Sequence, residues 1–220
     1  MTDIAEGIAS PGLLAPLLAR LRHRQAECLI PAGLRSGRIL DVGCGTWPAF
    51  LARTRFREKD GLDRRSPSGA APPGIEVRQH DVVTGGIPYP GRHFDVVALL
   101  ALVEHLAPEA TLFVVREVYR VLRDGGVAVF TLPSAQGETL LHLLSALRIT
   151  SREHHEEHQD VYDPGKLRTV LVRAGFPDPL VEVGRFELGL NLWARATSPG
   201  SQTRGCMGTL TPLSKSPRSV

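Results

Sequence analysis

Three aspartates and two closely spaced glycines have the residue types and spacing of a site for a polar ligand. Asp41 precedes Gly43 and Gly45, and Asp63 and Asp81 follow further along the chain. Glycines one residue apart let the backbone turn sharply beside a ligand, and N–H groups exposed before a following helix bind a carboxylate. Acids at strand ends hold ribose hydroxyls. The pattern predicts a site for a ligand that carries a ribose and a carboxylate.

His105 is the leading candidate for proton transfer. It follows an apolar run that is typical of a buried strand, and a histidine takes up a proton near neutral pH. The simpler alternative is that Glu104 and His105 start a helix and order the loop. A second cluster of acids and histidines, residues 153–158, is either a solvated charged connection or part of a metal site.

The elements that must position these residues follow from short apolar runs and helical periodicity. The sequence predicts strands at Arg38–Val42, 59–62, 75–78, 94–99 and 127–132. It predicts helices from near Pro16 to Leu29, briefly from Pro48, at 112–122 with a glycine cap at 125–126, at 140–147, and at 167–174 ending at Gly175. The link 64–74 shows no helix, and 180–188 with 190–196 read as a closing antiparallel pair.

Alternating strands and helices imply an α/β fold, in which a parallel sheet is covered by helices on both faces. Ligands bind such sheets beyond the carboxyl ends of the strands. Asp41, Asp63 and Asp81 each fall at a predicted strand end, so we expect them to line one edge of the sheet.

Composition limits the class of protein. The chain has 220 residues and a formal net charge of +3, and Arg204, Lys215 and Arg218 supply that excess on residues 197–220, which hold no acid. Residues 1–196 are balanced, which argues against nucleic-acid binding. The longest apolar run, residues 96–103, is too short to span a membrane, and acids near the N-terminus argue against a secretion signal. We expect a cytoplasmic protein.

The predicted organisation has three parts. Residues 1–30 form an N-terminal helical segment, residues 31–196 form the α/β domain, and residues 197–220 form a disordered tail, because they are rich in Ser, Thr, Gly and Pro. The pattern predicts no oligomeric state.

The sequence resembles the class I S-adenosylmethionine-dependent methyltransferases in five segments: residues 39–46, 61–63, 80–82, 94–106 and 121–134. The resemblance implies a Rossmann-like, doubly wound, mostly parallel seven-stranded sheet with an antiparallel closing strand. It implies that the methionine part of the cofactor is surrounded by the loop of Asp41, Gly43, Cys44, Gly45 and Thr46. It further implies that Asp63 binds the ribose, that Asp81 and the Val82 N–H face the adenine, and that the stretch starting at Leu99 lies beside the cofactor.

The implied function is methylation of a small-molecule acceptor at oxygen, nitrogen or carbon, with His105 as the base. Substrate selection is expected in residues 140–166 and in the N-terminal helix. One departure is Trp47, which stands where the family usually has another glycine. The loop must therefore turn differently or use the indole as a wall.

Three alternatives stay open at this point. A dinucleotide dehydrogenase shares the glycine loop and the later acid, although its third glycine is absent. A metal-assisted RNA 2′-O-methyltransferase would use Glu104, His105 and His158, although Ala101 stands where that family places its first glutamate. No metal is predicted on balance. The third alternative is a protein that binds S-adenosylmethionine without catalysis.

Overall fold

The strands form from the apolar runs that the sequence shows, and Phe94–Leu100 is buried along most of its length. The computed structural model describes residues 14–134, residue 137 and residues 161–200. Its strands are β1 Arg38–Val42, β2 Glu58–Asp63, β3 Ile75–Gln79, β4 Phe94–Leu100, β5 Leu122–Pro133, β6 Val181–Phe186 and β7 Asn191–Thr197. Its helices are α1 Leu14–Leu29, α2 Val82–Gly85, α3 Pro108–Val121 and α4 Pro164–Ala174.

The seven strands form one sheet in the order β3-β2-β1-β4-β5-β7-β6. Strands β1 to β5 pair in parallel, and β7 is antiparallel to both β5 and β6. The predicted Rossmann-like sheet with a closing antiparallel strand is confirmed. Because β1, β2, β3 and β4 are parallel neighbours, their carboxyl ends meet at one edge, and Asp41, Asp63 and Asp81 lie there.

Two apolar cores cover the two faces of the sheet. Val97 and Leu99 of β4 belong to the core that α3 and α4 share, while Val96 and Ala98 belong to the core beneath α1. This alternation follows the two-residue period of a strand. The same period places Asp41 on the face covered by α1, because Ile39, two residues before it on β1, belongs to the core beneath α1.

The segment between β1 and β2 corrects a prediction. The brief helix expected from Pro48 is absent, and residues 45–53 form successive turns instead. Single helical turns close at Ala52 and Thr54, whose N–H groups donate to the carbonyls of Pro48 and Phe50. Phe50 is buried in the core beneath α1. The segment therefore covers the sheet without a continuous helix.

The end of α3 corrects a second prediction. The sequence predicts a helix over residues 112–122 with a glycine cap at 125–126, but the helix ends at Val121 and β5 begins at Leu122. Leu122 is fully buried and pairs with Phe94, after which the register shifts so that Val96 pairs with Val127. Gly125, at φ +76°, lies in the resulting bulge. The glycines serve a strand irregularity rather than a helix end.

The remaining boundaries follow the sequence closely. The α4 helix ends at Gly175 as predicted, and the described link 64–74 contains no helix. Strand β7 runs to Thr197, and Ser198 exchanges backbone hydrogen bonds with Gly125 and Gly126, so the folded chain extends slightly past residue 196. The rest of the predicted tail and the helix at 140–147 lie outside the described residues. Among the described helices, none has the length and apolar character needed to span a membrane.

Candidate functional site

The glycine loop after β1 folds back over the end of β2. Gly43 and Gly45 take φ values of +79° and +76°, which favour glycine. The N–H groups of Gly43 and Cys44 donate to the Leu62 carbonyl at 2.8 and 3.1 Å, and the Gly45 N–H donates to Asp63 Oδ2 at 2.8 Å. The expectation of exposed N–H groups that bind a carboxylate before a helix is wrong here, because β2 accepts all three donors and no helix follows.

Asp41 is a buried carboxyl with an unused acceptor. Its side chain is 3% exposed, and its Oδ1 atom is buried without a hydrogen-bond partner. Burial, followed by the charge of Asp63, raises the pKa of Asp41 to about 7. A buried polar atom without a partner is costly, so this oxygen is suited to a ligand that brings positive charge or a donor.

Asp63 is the other buried acid of the site, and its carboxylate already organises two loops. Its Oδ2 accepts from Gly45, and its Oδ1 accepts from the backbone N–H of Arg65 at 2.9 Å. The Arg65 guanidinium lies 3.3 Å from the same oxygen. Each carboxylate oxygen has two acceptor positions. Both positions on Oδ1 are taken and one on Oδ2 stays open, so Asp63 can hold these donors and still accept one hydroxyl group.

Cys44 packs tightly against β2. A Cβ at Gly61 would lie 2.8 Å from Cys44 Sγ, so the thiol occupies space that only a glycine leaves open. Burial, followed by the charges of Asp41 and Asp63, raises the pKa of Cys44 to about 12. Cys44 is therefore a protonated packing group and not a nucleophile.

Asp81 and Val82 start the short helix α2. Asp81 is exposed, and its Oδ1 caps the helix by accepting from the Val83 N–H at 2.9 Å. Its second oxygen accepts no hydrogen bond from another described residue, and the carboxyl lies at the same edge as Asp63. The Val82 side chain is buried, so only its backbone can face a ligand.

Leu99 lies near the carboxyl end of β4, and its place beside the ligand stays a prediction that concerns its backbone. Its side chain is fully buried in the core shared by α3 and α4, where it pairs with Val42. Leu102 is the residue that reaches the glycine loop, since a Cβ at Gly43 would lie 3.0 Å from Leu102 Cδ1. Sequence reasoning missed this contact, which depends on Ala101 turning the chain at φ +56°.

His105 lies between β4 and α3, beyond the carboxyl end of β4. It ends the 3-10 helix Val103–His105, its N–H donates to the Leu102 carbonyl at 3.0 Å, and its side chain is half-buried. Glu104, beside it, is almost completely buried. Within the part of the chain that is described, no three His, Cys, Asp or Glu side chains form a metal-binding group. His158 and the cluster 153–158 lie outside those residues.

A scan against protein families decides which family this fold and site belong to. A family model described as a methyltransferase domain matches residues 13–178, which is most of the chain. The chain belongs to this methyltransferase family. It is an S-adenosylmethionine-dependent enzyme, and its cofactor is S-adenosyl-L-methionine.

Solved structures agree with this methyltransferase fold. An S-adenosylmethionine-dependent methyltransferase from Mesorhizobium loti is 18% identical with a TM-score of 0.58, covering 79% of this chain and 96% of its own. A putative methyltransferase complexed with the Trm112 activator, from Haloferax volcanii, is 14% identical with a TM-score of 0.64, covering 84% and 92%. Human N-acetylserotonin methyltransferase, solved with S-adenosylmethionine, is 14% identical with a TM-score of 0.61, covering 83% and 53%.

At these identities the likeness shows a shared fold. No curated protein matches the methyltransferase sequence.

The residues at the sheet edge fit the cofactor chemically. S-adenosylmethionine carries a positive sulfonium and a positive amino group, and the unpartnered Oδ1 of Asp41 is an acceptor for such a group. Gly45 carries no Cβ, and a Cβ built there would lie 3.7 Å from the Trp47 carbonyl oxygen, which is ordinary contact. The loop therefore provides an acid, and room for a close approach at Gly45.

Proposed function

We propose that this methyltransferase acts on a small-molecule acceptor and transfers the methyl group to an oxygen, nitrogen or carbon atom. The observation that carries this proposal is the balance of 23 basic and 23 acidic residues over residues 1–196. Eight arginines of the described surface are paired with acids: Arg35–Glu27, Arg38–Glu58, Arg78–Glu76, Arg92–Asp124, Arg120–Glu117, Arg123–Asp95, Arg168–Asp178 and Arg195–Glu182. An RNA-binding surface depends on an excess of basic groups that are available to phosphates, although Arg20, Arg22 and Arg24 of α1 form no ion pair with another described residue.

The cofactor roles follow the edge of the sheet. Asp63 would bind the ribose, and Asp81 with the Val82 N–H would face the adenine. The methionine part would lie against the loop of Asp41, Gly43, Cys44, Gly45 and Thr46, with the backbone after Leu99 on its other side. Two observations support these assignments. The residues lie at one edge of the sheet, and the strands that carry them are neighbours in the order β3, β2, β1, β4.

When bound, the cofactor supplies an electrophilic methyl group on a positively charged sulfur. The protein must then align the acceptor with that methyl group and exclude water, which accounts for much of the rate of a displacement. An acceptor that keeps its proton needs a base. His105 is the candidate base because it is half-buried at the carboxyl edge of the sheet. It lies just beyond β4, which is the neighbour of β1.

Methyl incorporation into fractions of a cell extract tests the acceptor class. The full chain is incubated with methyl-labelled S-adenosylmethionine and extract, with and without ribonuclease, and the products are separated by size. We expect label in the low-molecular-weight fraction, unaffected by ribonuclease or by a chelator. Ribonuclease-sensitive label would instead favour RNA methylation. Cofactor binding without incorporation in any fraction would favour a non-catalytic role.

A further inference from the structure

Trp47 exposes a large aromatic side chain at the cofactor edge. The side chain is 51% exposed, and it follows two residues after Gly45. Trp47 does not take a positive φ, so the left-handed turns of the loop end at Gly45. A half-exposed indole ring lacks much of the stabilisation that burial of its apolar surface provides. This exposure suggests that a bound ligand covers the ring.

Hydrogen bonds on both sides fix the backbone at Trp47. The Thr46 carbonyl accepts from the Ser68 N–H at 2.9 Å and from Ser68 Oγ at 3.2 Å. The Trp47 carbonyl accepts from the Ala49 N–H at 2.8 Å. Ser68 belongs to the link after β2, so Trp47 is held between the loops that follow β1 and β2.

This anchoring keeps Trp47 close to Asp63. The Gly45 N–H lies 2.8 Å from Asp63 Oδ2, and two residues of chain span at most about 7 Å. If Asp63 holds the ribose, the sulfonium lies near as well, because the sulfur is bonded directly to the 5′ carbon of that ribose. The indole of Trp47 is then within reach of the sulfonium.

We propose that the Trp47 indole covers the sulfonium of bound S-adenosylmethionine and binds it by a cation–π contact. This inference rests on the proposed role of Asp63. Tryptophan is the side chain that best attracts a cation to its ring face. The product, S-adenosylhomocysteine, has a neutral sulfur and loses this contact, so Trp47 favours the substrate form of the cofactor over the product form.

Calorimetry with the two forms of the cofactor tests the cation–π contact. S-adenosylmethionine and S-adenosylhomocysteine are titrated into the full chain and into the Trp47→Leu and Trp47→Phe variants. We expect Trp47→Leu to weaken S-adenosylmethionine binding roughly 2- to 30-fold, as cation–π energies predict, while product binding changes less than about twofold. Trp47→Phe retains part of the preference. Equal weakening of both ligands, or no weakening of either, overturns the proposal.

Fluorescence gives a second readout, in which Trp47 itself is the reporter. The chain has two tryptophans, so a Trp193→Phe variant leaves Trp47 as the sole reporter, and Trp47→Leu leaves Trp193. Saturating S-adenosylmethionine should change the emission of Trp47 more than S-adenosylhomocysteine does, and should leave that of Trp193 unchanged. Unaltered Trp47 emission at saturation overturns the proposal.

These outcomes are distinguishable from a failure of the proposed function. If the wild-type chain binds the cofactor but methylates RNA, the small-molecule assignment is wrong and the Trp47 inference is unaffected. If Trp47→Leu keeps the full preference for S-adenosylmethionine, the inference is wrong whichever acceptor is methylated.

Discussion

The carboxyl groups of Asp41 and Asp63 lie at the ends of adjacent parallel strands, and the charge of Asp63 adds to burial in raising the pKa of Asp41 to about 7. The two acids differ in their partners. Asp63 accepts backbone hydrogen bonds on both oxygens, whereas Asp41 Oδ1 has none. Since the cofactor is cationic at two positions, its binding should favour the ionised form of Asp41.

Cofactor affinity should therefore depend on pH. Below about pH 7 the Asp41 carboxyl is protonated, and binding the cation requires the proton to leave. The affinity for S-adenosylmethionine should fall as the pH is lowered from 8 to 6, by at most about tenfold per pH unit, and level off at higher pH. Calorimetry in buffers of different ionisation enthalpy measures both the affinity and the released proton. A flat affinity in wild type, matching that of Asp41→Asn, would rule out this coupling.

The same carboxyl should reduce the stability of the cofactor-free enzyme at alkaline pH. The pKa of Asp41 is higher in the folded protein than in the unfolded chain, so its protonated form stabilises the fold. This contribution to the free energy of unfolding is complete below the unfolded pKa and is lost as the pH rises through 7. Asp41→Asn cannot ionise, so its melting temperature should exceed that of wild type at pH 8. The difference should shrink towards pH 4. Melting curves of both proteins across this range test the prediction, and a constant difference contradicts it.

Replacing Asp63 tests its proposed contact with the ribose. Asp63→Asn keeps an oxygen that accepts from the Gly45 N–H but removes the charge, so affinity should fall by about 1–3 kcal/mol. Asp60→Asn is the matched control, because Asp60 lies on the same strand and binds the Tyr89 hydroxyl at 2.9 Å. Calorimetry should show weakened binding in Asp63→Asn alone. Equal affinity in both variants would remove Asp63 from the cofactor site.

The strand ends were predictable because apolar runs and acids are local signals. The sequence correctly predicted the start and end of β1 and placed Asp63 at the end of β2. It also predicted the glycine that ends α4. In each case the residues that decide the structure are neighbours in the chain.

The errors arose where distant residues decide. Gly125 favours a left-handed backbone in a helix cap and in a bulge alike, and the pairing of Leu122 with Phe94 selects the bulge. The N–H groups of the glycine loop meet β2 only after the sheet has formed. Leu102 reaches Gly43 through the left-handed turn at Ala101, a conformation that alanine rarely adopts and that no local pattern predicts.

Gly43→Ala should destabilise the enzyme for two separable reasons. An alanine at φ +79° costs about 1–2 kcal/mol, and its Cβ would lie 3.0 Å from Leu102 Cδ1. Gly74 is the matched control, since it has φ +78° and open space around a Cβ. Denaturant unfolding should show a larger loss for Gly43→Ala than for Gly74→Ala, and Leu102→Ala should reduce the excess. An equal loss of unfolding free energy in the two glycine variants would show that Leu102 moves away from the new Cβ without cost.

Replacing His105 tests its role as the base. If His105 removes the acceptor proton, His105→Ala should lower kcat by about 10²- to 10⁴-fold and leave cofactor affinity unchanged, because the proposed cofactor contacts are those of Asp41 and Asp63. His93→Ala is the control, since His93 is also half-buried but lies beside Phe94 at the opposite end of β4. The methyl-incorporation assay at saturating cofactor measures the rate of both variants. A His105→Ala rate within a few-fold of wild type would show that the acceptor gives up its proton without His105.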